Sequence, residues 1–292
     1  MSDDTRGMLF GVAGVTMFSL TLPFTRLAVR ELDPILVAFG RAFVAAILAG
    51  LWLWWRGAKL PPRTALRPLS AVAIGCVLGF PWLTSIAMRT LPASHGAMLV
   101  GIMPLTTAMW AALLGRERPS VGFWIIAVAG AALTVGFAMR QSGGSLHSAD
   151  TLMLLAVLLG GLGYAEGGRL AQTLGGQQVI SWSLLLAAPV ALAVVLMSGS
   201  MRVNSLQSVG PAAWLGLAYV SVFSMLIGFF LWYRGMALGG VARVGQTQLL
   251  QPFLSLAGAA LLLGEPLEVE QWVFAVAVIV LVALGKTMRV RR

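Results

Sequence analysis

Cysteine, histidine and charge are scarce in this chain. Of 292 residues, one is cysteine, two are histidine and 10% carry a formal charge. The lone Cys76 excludes an internal disulfide and a cysteine zinc cluster. It lies in an apolar run and reads as a small packing residue. Two histidines, with His147 between apolar runs, do not supply the acid/base or metal cluster of an integral membrane enzyme. A soluble domain carries about 25% charged residues, more than twice the share here, which argues against a water-soluble enzyme. There is no GxxxxGK[ST] phosphate loop, which argues against ATP hydrolysis within the chain. No cofactor and no metal is expected. Nor is there a basic stretch before the first apolar run, only Asp3, Asp4 and Arg6, so that run reads as a retained helix and not a cleaved signal.

What the chain has is hydrophobicity, at 59% of its residues. The apolar segments are 8–28, 34–55, 69–89, 94–115, 120–139, 151–171, 178–198, 212–234, 242–263 and 270–288. They run continuously and do not alternate with period two, which disfavours a transmembrane barrel. In lipid each must be helical, because no solvent satisfies a free backbone group. Ten spans of about 20 residues use roughly 200, leaving short connections and no room for a soluble domain. Turn signals such as Asp33-Pro34, Pro61-Pro62, Gly143-Gly144 and Gly210-Pro211 separate them.

The net charge is +10. In a soluble protein this would suggest nucleic acid; here the basic residues lie mostly between apolar segments, so membrane orientation is the simpler cause and no nucleic-acid partner is expected. With the N-terminus cytoplasmic, the inner side receives fourteen Lys and Arg, including Arg56, Lys59, Arg63, Arg67, Arg116, Arg118 and Arg243. The outer side receives five: Arg26, Arg30, Arg89, Arg140 and Arg202. Both termini are therefore expected to be cytoplasmic. Trp52, Trp54, Trp55, Trp110, Trp124, Trp182, Trp214 and Trp272 fall near segment ends, where an amphipathic ring prefers to sit. Trp82 and Trp232 fit that belt less well and are candidates for a cavity wall or for interior packing.

Self-similarity is the strongest organisational signal. A shift of 148 lays Met88 on Met236, Pro104 on Pro252, Glu117 on Glu265 and Trp124 on Trp272, with Ala111–Leu114 on Ala259–Leu262. The chain thus divides into five plus five segments, 1–148 and 149–292. Five is odd, so the second half is expected upside down relative to the first, around a central cavity near the midplane, as in many secondary transporters. Pro104 and Pro252, near the middle of their segments, are expected to bend two helices there. Glycines four apart (Gly7/Gly11, Gly75/Gly79, Gly163/Gly167, Gly235/Gly239) permit close helix contact.

The stretch Ala87–Glu117, AMRTLPASHGAMLVGIMPLTTAMWAALLGRE, and its partner Gly235–Glu265 resemble the EamA-type branch of the drug/metabolite transporter superfamily. The shared features are a small-residue helix, a central proline and Gly-Glu at the helix exit. Gly264-Glu265 fits fully, whereas Gly115-Arg116-Glu117 has one residue inserted. Arg41 matches an arginine often found in the second helix of that family, and Arg26 and Arg169 match basic residues late in the first and sixth. The resemblance covers nearly the whole chain. It implies a bacterial inner-membrane transporter of small molecules and, in the group it looks most like, export of amino acids.

Candidate site residues are the polar and aromatic ones inside the segments. Glu166 is the one acid clearly within an apolar segment, and Arg169, three residues on, shares its helix face. Glu166 reads either as a site for a substrate amine or a coupling proton, or as half of a structural ion pair. Arg41 reads as a carboxylate partner or, with more weight, as a structural residue snorkelling to the outer interface. Trp82, Ser85, His95 and Met98 fall in the outer half, and the shift maps them onto Phe230, Tyr233, Arg243 and Gln246 in the inner half, suggesting two alternating openings onto one site. His95 reads as a site residue but stands at a helix start, where a capping role competes. Thr16, Ser19, Tyr164 and Gln246 add hydrogen-bonding capacity.

The sequence therefore predicts an all-α membrane protein of ten helices in two inverted repeats. Its expected function is export of small metabolites, most of all amino acids, by alternating access, with the proton as a possible coupling ion. Other cargo (cationic drugs, nucleotide sugars), a channel and a membrane enzyme are the alternatives.

Overall fold

The computed structural model describes residues 2–115, 118–141, 147–201, 206–240, 244–287 and 290–291. Among these, the regular structure is helical apart from one antiparallel contact, Arg118–Pro119 with Val290–Arg291. Eight helices are long and apolar enough to cross a membrane: α1 Asp3–Val29, α2 Leu36–Trp55, α3 Arg63–Ala87, α4 Ala93–Leu114, α5 Trp124–Gln141, α6 Ser148–Leu174, α7 Gly176–Met197 and α8 Pro211–Gly239. Two shorter apolar helices follow, α9 Thr247–Leu263 and α10 Val269–Leu281. The first eight fall on the first eight apolar segments of the sequence and the shorter two on the last two. Of the repeat signals, Glu117 lies outside the described residues.

Several helices are interrupted or irregularly wound. Helix α1 breaks at Leu20, between Asp3–Ser19 and Thr21–Val29, because Pro23 has no N–H for the Ser19 carbonyl. Wider π-helical winding occupies Leu36–Gly40 in α2, Ala73–Gly79 in α3 and Val220–Gly228 in α8. The two prolines expected to bend continuous helices do something different. Pro104 is the second residue of Met103–Gly115, which follows Ala93–Val100 after a two-residue break. Pro252 is the second residue of Gln251–Leu263, which follows a 3₁₀ stretch at Gly245–Leu250. A first-turn proline sacrifices no helical hydrogen bond. Each therefore starts a fresh helix where the preceding winding has already failed.

Glycine sets the closest helix contacts. Gly7 and Gly11 of α1 lie against Gly235 and Gly239 of α8, and a Cβ on Gly7 would stand 2.5 Å from the Gly239 amide nitrogen. In the same way Gly75 of α3 lies against Gly163 of α6, where a Cβ would strike the Leu159 carbonyl. Such backbone-to-backbone approach is how membrane helices gain packing energy without a hydrophobic drive. Helix α2 packs on α7, α4 on α6 and α9, α1 on α9, and α5 on α10. Phe137 and Phe274 stack at 4.2 Å between α5 and α10. Large apolar side chains such as Leu51, Val128 and Leu261 point outward, as a lipid-facing surface requires.

Candidate functional site

The irregular turns converge on one place. Their side chains line a cavity with about 510 Å³ of non-atom space, open solvent included. Arg41 immediately follows the π turn of α2; Cys76 lies within that of α3 and Phe80 follows it; Ser224 lies within that of α8 and Phe229 follows it. Val100 and Met103 flank the break in α4, and Gln251 and Ser255 begin the regular part of α9. Helix α1 adds Phe18, Thr21 and Leu22 around its own break, and α6 adds Gly160 and Tyr164. Irregular backbone at membrane depth is tolerated where it is covered by protein or lines a cavity, and π turns recur at functional sites. All lining residues except Phe80 and Gln251 are buried, so the cavity lies within the bundle.

One wall is aromatic. Phe18 stands 4.9 Å from Phe229 and 6.0 Å from Tyr164 between ring centroids, with Trp232 packed behind at 5.8 Å from Tyr164. Another is hydroxylic: Thr21 and Ser224 share a hydrogen bond of 2.8 Å between α1 and α8. The charge is Arg41, 2% exposed, whose Nε and Nη1 find no hydrogen-bond partner. Among the described residues, no aspartate or glutamate lines the cavity. A buried charge without a partner is costly, so this guanidinium is the most unusual group in the site.

The end of the bundle where α4 and α6 begin is fastened by polar contacts. Arg26 Nη1 donates to the carbonyls of Met88 (2.8 Å) and Leu91, and its Nε lies 3.5 Å from Glu265 Oε1. The two Glu265 oxygens accept from the Ala93 and Ser94 amides at 2.8 Å each, the first turn of α4, where the helix dipole favours a carboxylate. His95 Nε2 is 2.7 Å from Asp150 Oδ1, and the His147 amide donates to Asp150 Oδ2 at 3.0 Å. The Gly210 amide donates to Glu31 at 2.6 Å, and Arg140 pairs with Glu270 at 2.6 Å.

The residues singled out from the sequence are dispersed. Tyr164 is on the cavity wall. Tyr233 is buried beside it and donates to the Gly163 carbonyl at 3.1 Å. Ser19 is buried and spends its hydroxyl on the Val15 carbonyl (2.7 Å); Thr16 is exposed and bonds Val12 in the same way. Ser85 is buried with an unpartnered hydroxyl, and Met98 is buried in the core. Trp82 is 45% exposed, near Phe39. His95 belongs to the fastened end. Glu166 is buried and held by Arg169 Nη2 at 2.6 Å, and is not among the lining residues. The side chain of Gln246 and all of Arg243 lie outside the described residues. The sequence reading missed Phe18, Thr21, Ser224, Gln251 and Ser255, assigned Cys76 to packing, and weighted Arg41 toward structure. The repeat held a signal: the 148-residue shift lays Cys76 on Ser224 and Met103 on Gln251, two pairs that meet at one cavity.

Comparison with known proteins agrees with this architecture. The model of the EamA-like transporter family matches twice, over residues 5–138 and 147–285. The uncharacterized transporter YdeK of Bacillus subtilis (strain 168) is 44% identical over 286 residues, covering 98% of this chain and 99% of that protein. The uncharacterized inner membrane transporter YedA of Escherichia coli (strain K12) is 28% identical over 287 residues, covering 95% and 89%. A solved structure, titled only as the crystal structure of a protein, shares the fold with a TM-score of 0.66 at 19% identity, over 97% of this chain and 96% of that one. This chain belongs to the EamA-like transporter family and is a multi-pass membrane transporter.

Proposed function

We propose that the protein is a secondary transporter that exports small metabolites, amino acids first among them, across the bacterial inner membrane by alternating access. The observation that carries this reading is the cavity itself, whose walls come from both halves of the chain: α1–α4 on one side, α6, α8 and α9 on the other. The halves, residues 1–148 and 149–292, are taken as inverted five-helix repeats. Their packing supports this. Exchanging α1–α5 with α6–α10 turns the α1–α8 contact into α6–α3 and α4–α6 into α9–α1, and leaves α2–α7 and α5–α10 unchanged, all of them contacts the fold makes. The two family matches, over residues 5–138 and 147–285, support a division near there.

With both termini cytoplasmic, the Arg26–Glu265 end faces outward and is shut. Rocking of one half against the other would break that latch and open the cavity outward. An amino acid would set its carboxylate on Arg41 and its side chain against Phe18, Tyr164 and Phe229. The substrate gradient, or exchange for protons, supplies the drive. The test is counterflow in liposomes holding the purified chain, across labelled amino acids, nucleosides and quaternary amines. Saturable exchange of amino acids is expected. Exchange of another class alone would replace the substrate, and no exchange of any solute would overturn the transporter reading.

A further inference from the structure

We infer that the cavity recognises a single carboxylate and makes no demand for the ammonium group of an amino acid, so that small organic monoanions with an apolar body are substrates in their own right. The inference rests on the transporter reading above and deepens it.

Arg41 is the starting point. Arg41 lines the cavity, and its buried guanidinium leaves Nε and Nη1 without acceptors. The two donors lie on different edges of the planar guanidinium, so a carboxylate oxygen can accept from either with its charge beside the cation. A ligand carboxylate would thus supply the acceptors and the counter-charge that the fold omits.

An ammonium finds no matching anchor. Among the described residues the lining holds no carboxylate; its remaining polar groups are neutral, and two of them, Thr21 and Ser224, already bond each other. Phe18, Phe80 and Phe229 offer surface for an apolar body. The arginine also has no twin: the 148-residue shift lays Arg41 on Pro189, within α7. One cation without a counterpart suits one negative charge, and leaves a dianion such as a phosphate ester half unpaired.

Three probes sharing one body separate the possibilities: phenylalanine, N-acetylphenylalanine (anion only) and phenethylamine (cation only). The full chain in detergent is assayed for ligand-induced thermal stabilisation, and in liposomes for counterflow of the two carboxylates. N-acetylphenylalanine is expected to bind at least as well as phenylalanine and to exchange with it, and phenethylamine not to bind. Arg41→Gln is expected to weaken carboxylate binding about 10- to 100-fold, the scale of hydrogen bonds to charged groups, while the ligand-free melting temperature holds or rises. A structural arginine would lower that temperature instead. If Arg41→Gln does not fold, the ranking of probes on the wild-type chain still decides. Binding of phenethylamine, or of phenylalanine without N-acetylphenylalanine, overturns the inference and leaves the transporter reading intact. Binding of none of the three, with exchange of some other solute, does the same. No exchange of any solute removes both.

Discussion

Arg26 and Arg41 are two sequestered arginines of the same half of the chain, fifteen residues apart in sequence, and their surroundings are opposite. Arg26 touches two carbonyls and a carboxylate, and that carboxylate in turn caps the first turn of α4. Arg41 touches a cavity. Arg26 is half-buried and its Nε also makes no hydrogen bond, so what sets the two apart is the carboxylate and the two carbonyls that Arg26 meets. A satisfied arginine holds two elements together. An unsatisfied one is held by the fold at a cost that a ligand can offset.

The contrast is broken most directly by neutralising each arginine in turn. Arg26→Gln leaves Glu265 partly buried without its cation, and stability is expected to fall by about 3 kcal/mol, the low end for an orphaned buried partner, with the exposed fifth of Arg26 reducing the loss. Arg41→Gln is expected to leave the melting temperature unchanged or higher while carboxylate flux falls by an order of magnitude or more. Melting curves and counterflow on the same two preparations decide. Equal loss of stability in both variants would abolish the distinction.

Glu265→Gln tests the latch from its other side. It keeps the size and one acceptor for the α4 amides and removes the charge. Loss of the ion pair is expected to shift the closed–open balance by about 1 kcal/mol, roughly fivefold. Cys76, the lone cysteine, lines the cavity, so its alkylation by a membrane-impermeant maleimide added from outside reports the opening. A severalfold faster rate is expected, and an unchanged rate would show that this end does not gate the cavity.

Within the cavity, Thr21→Val removes one hydroxyl of the Thr21–Ser224 bond and preserves shape. The expected cost is about 1 kcal/mol in stability and a few-fold change in apparent substrate affinity, read from the concentration dependence of exchange. A loss as large as that of Arg41→Gln would move the principal anchor to this hydroxyl pair.

Much of this arrangement was legible in the sequence, and the boundary of legibility is physical. Lipid compels continuous apolar helices, so the segments could be placed directly. The pairings Pro104/Pro252 and Trp124/Trp272 exposed the repeat. Which face of a helix looks inward was harder to read. Face assignment assumes a constant 3.6-residue period, and each π turn inserts a residue that shifts the phase beyond it. Cys76 and Ser224 sit within such turns and so escaped a reading based on regular winding, while Arg41, just after one, was read with more weight as structural. Nothing in the local sequence marks a π turn. His95 presented the other difficulty: its partner Asp150 is 55 residues away, at the start of a helix in the other half.

The smallest effect is expected at Glu166, where the contrast between the two arginines meets its control. Glu166 is buried, like a functional intramembrane acid, yet Arg169 holds it at 2.6 Å and itself reaches solvent. By the same rule of partners it belongs with Arg26 and not with Arg41. Glu166→Gln is then expected to cost about 1 kcal/mol or less, as for a partly exposed pair three residues apart on one helix, and to change driven flux less than twofold. Proton-driven flux and counterflow in the same vesicles separate the alternatives. If the substitution abolished driven flux and spared counterflow, Glu166 would be the proton-coupling residue despite its partner. The rule that separates Arg26 from Arg41 would then hold for arginines alone, since a carboxylate can release its partner by taking up a proton and an arginine cannot.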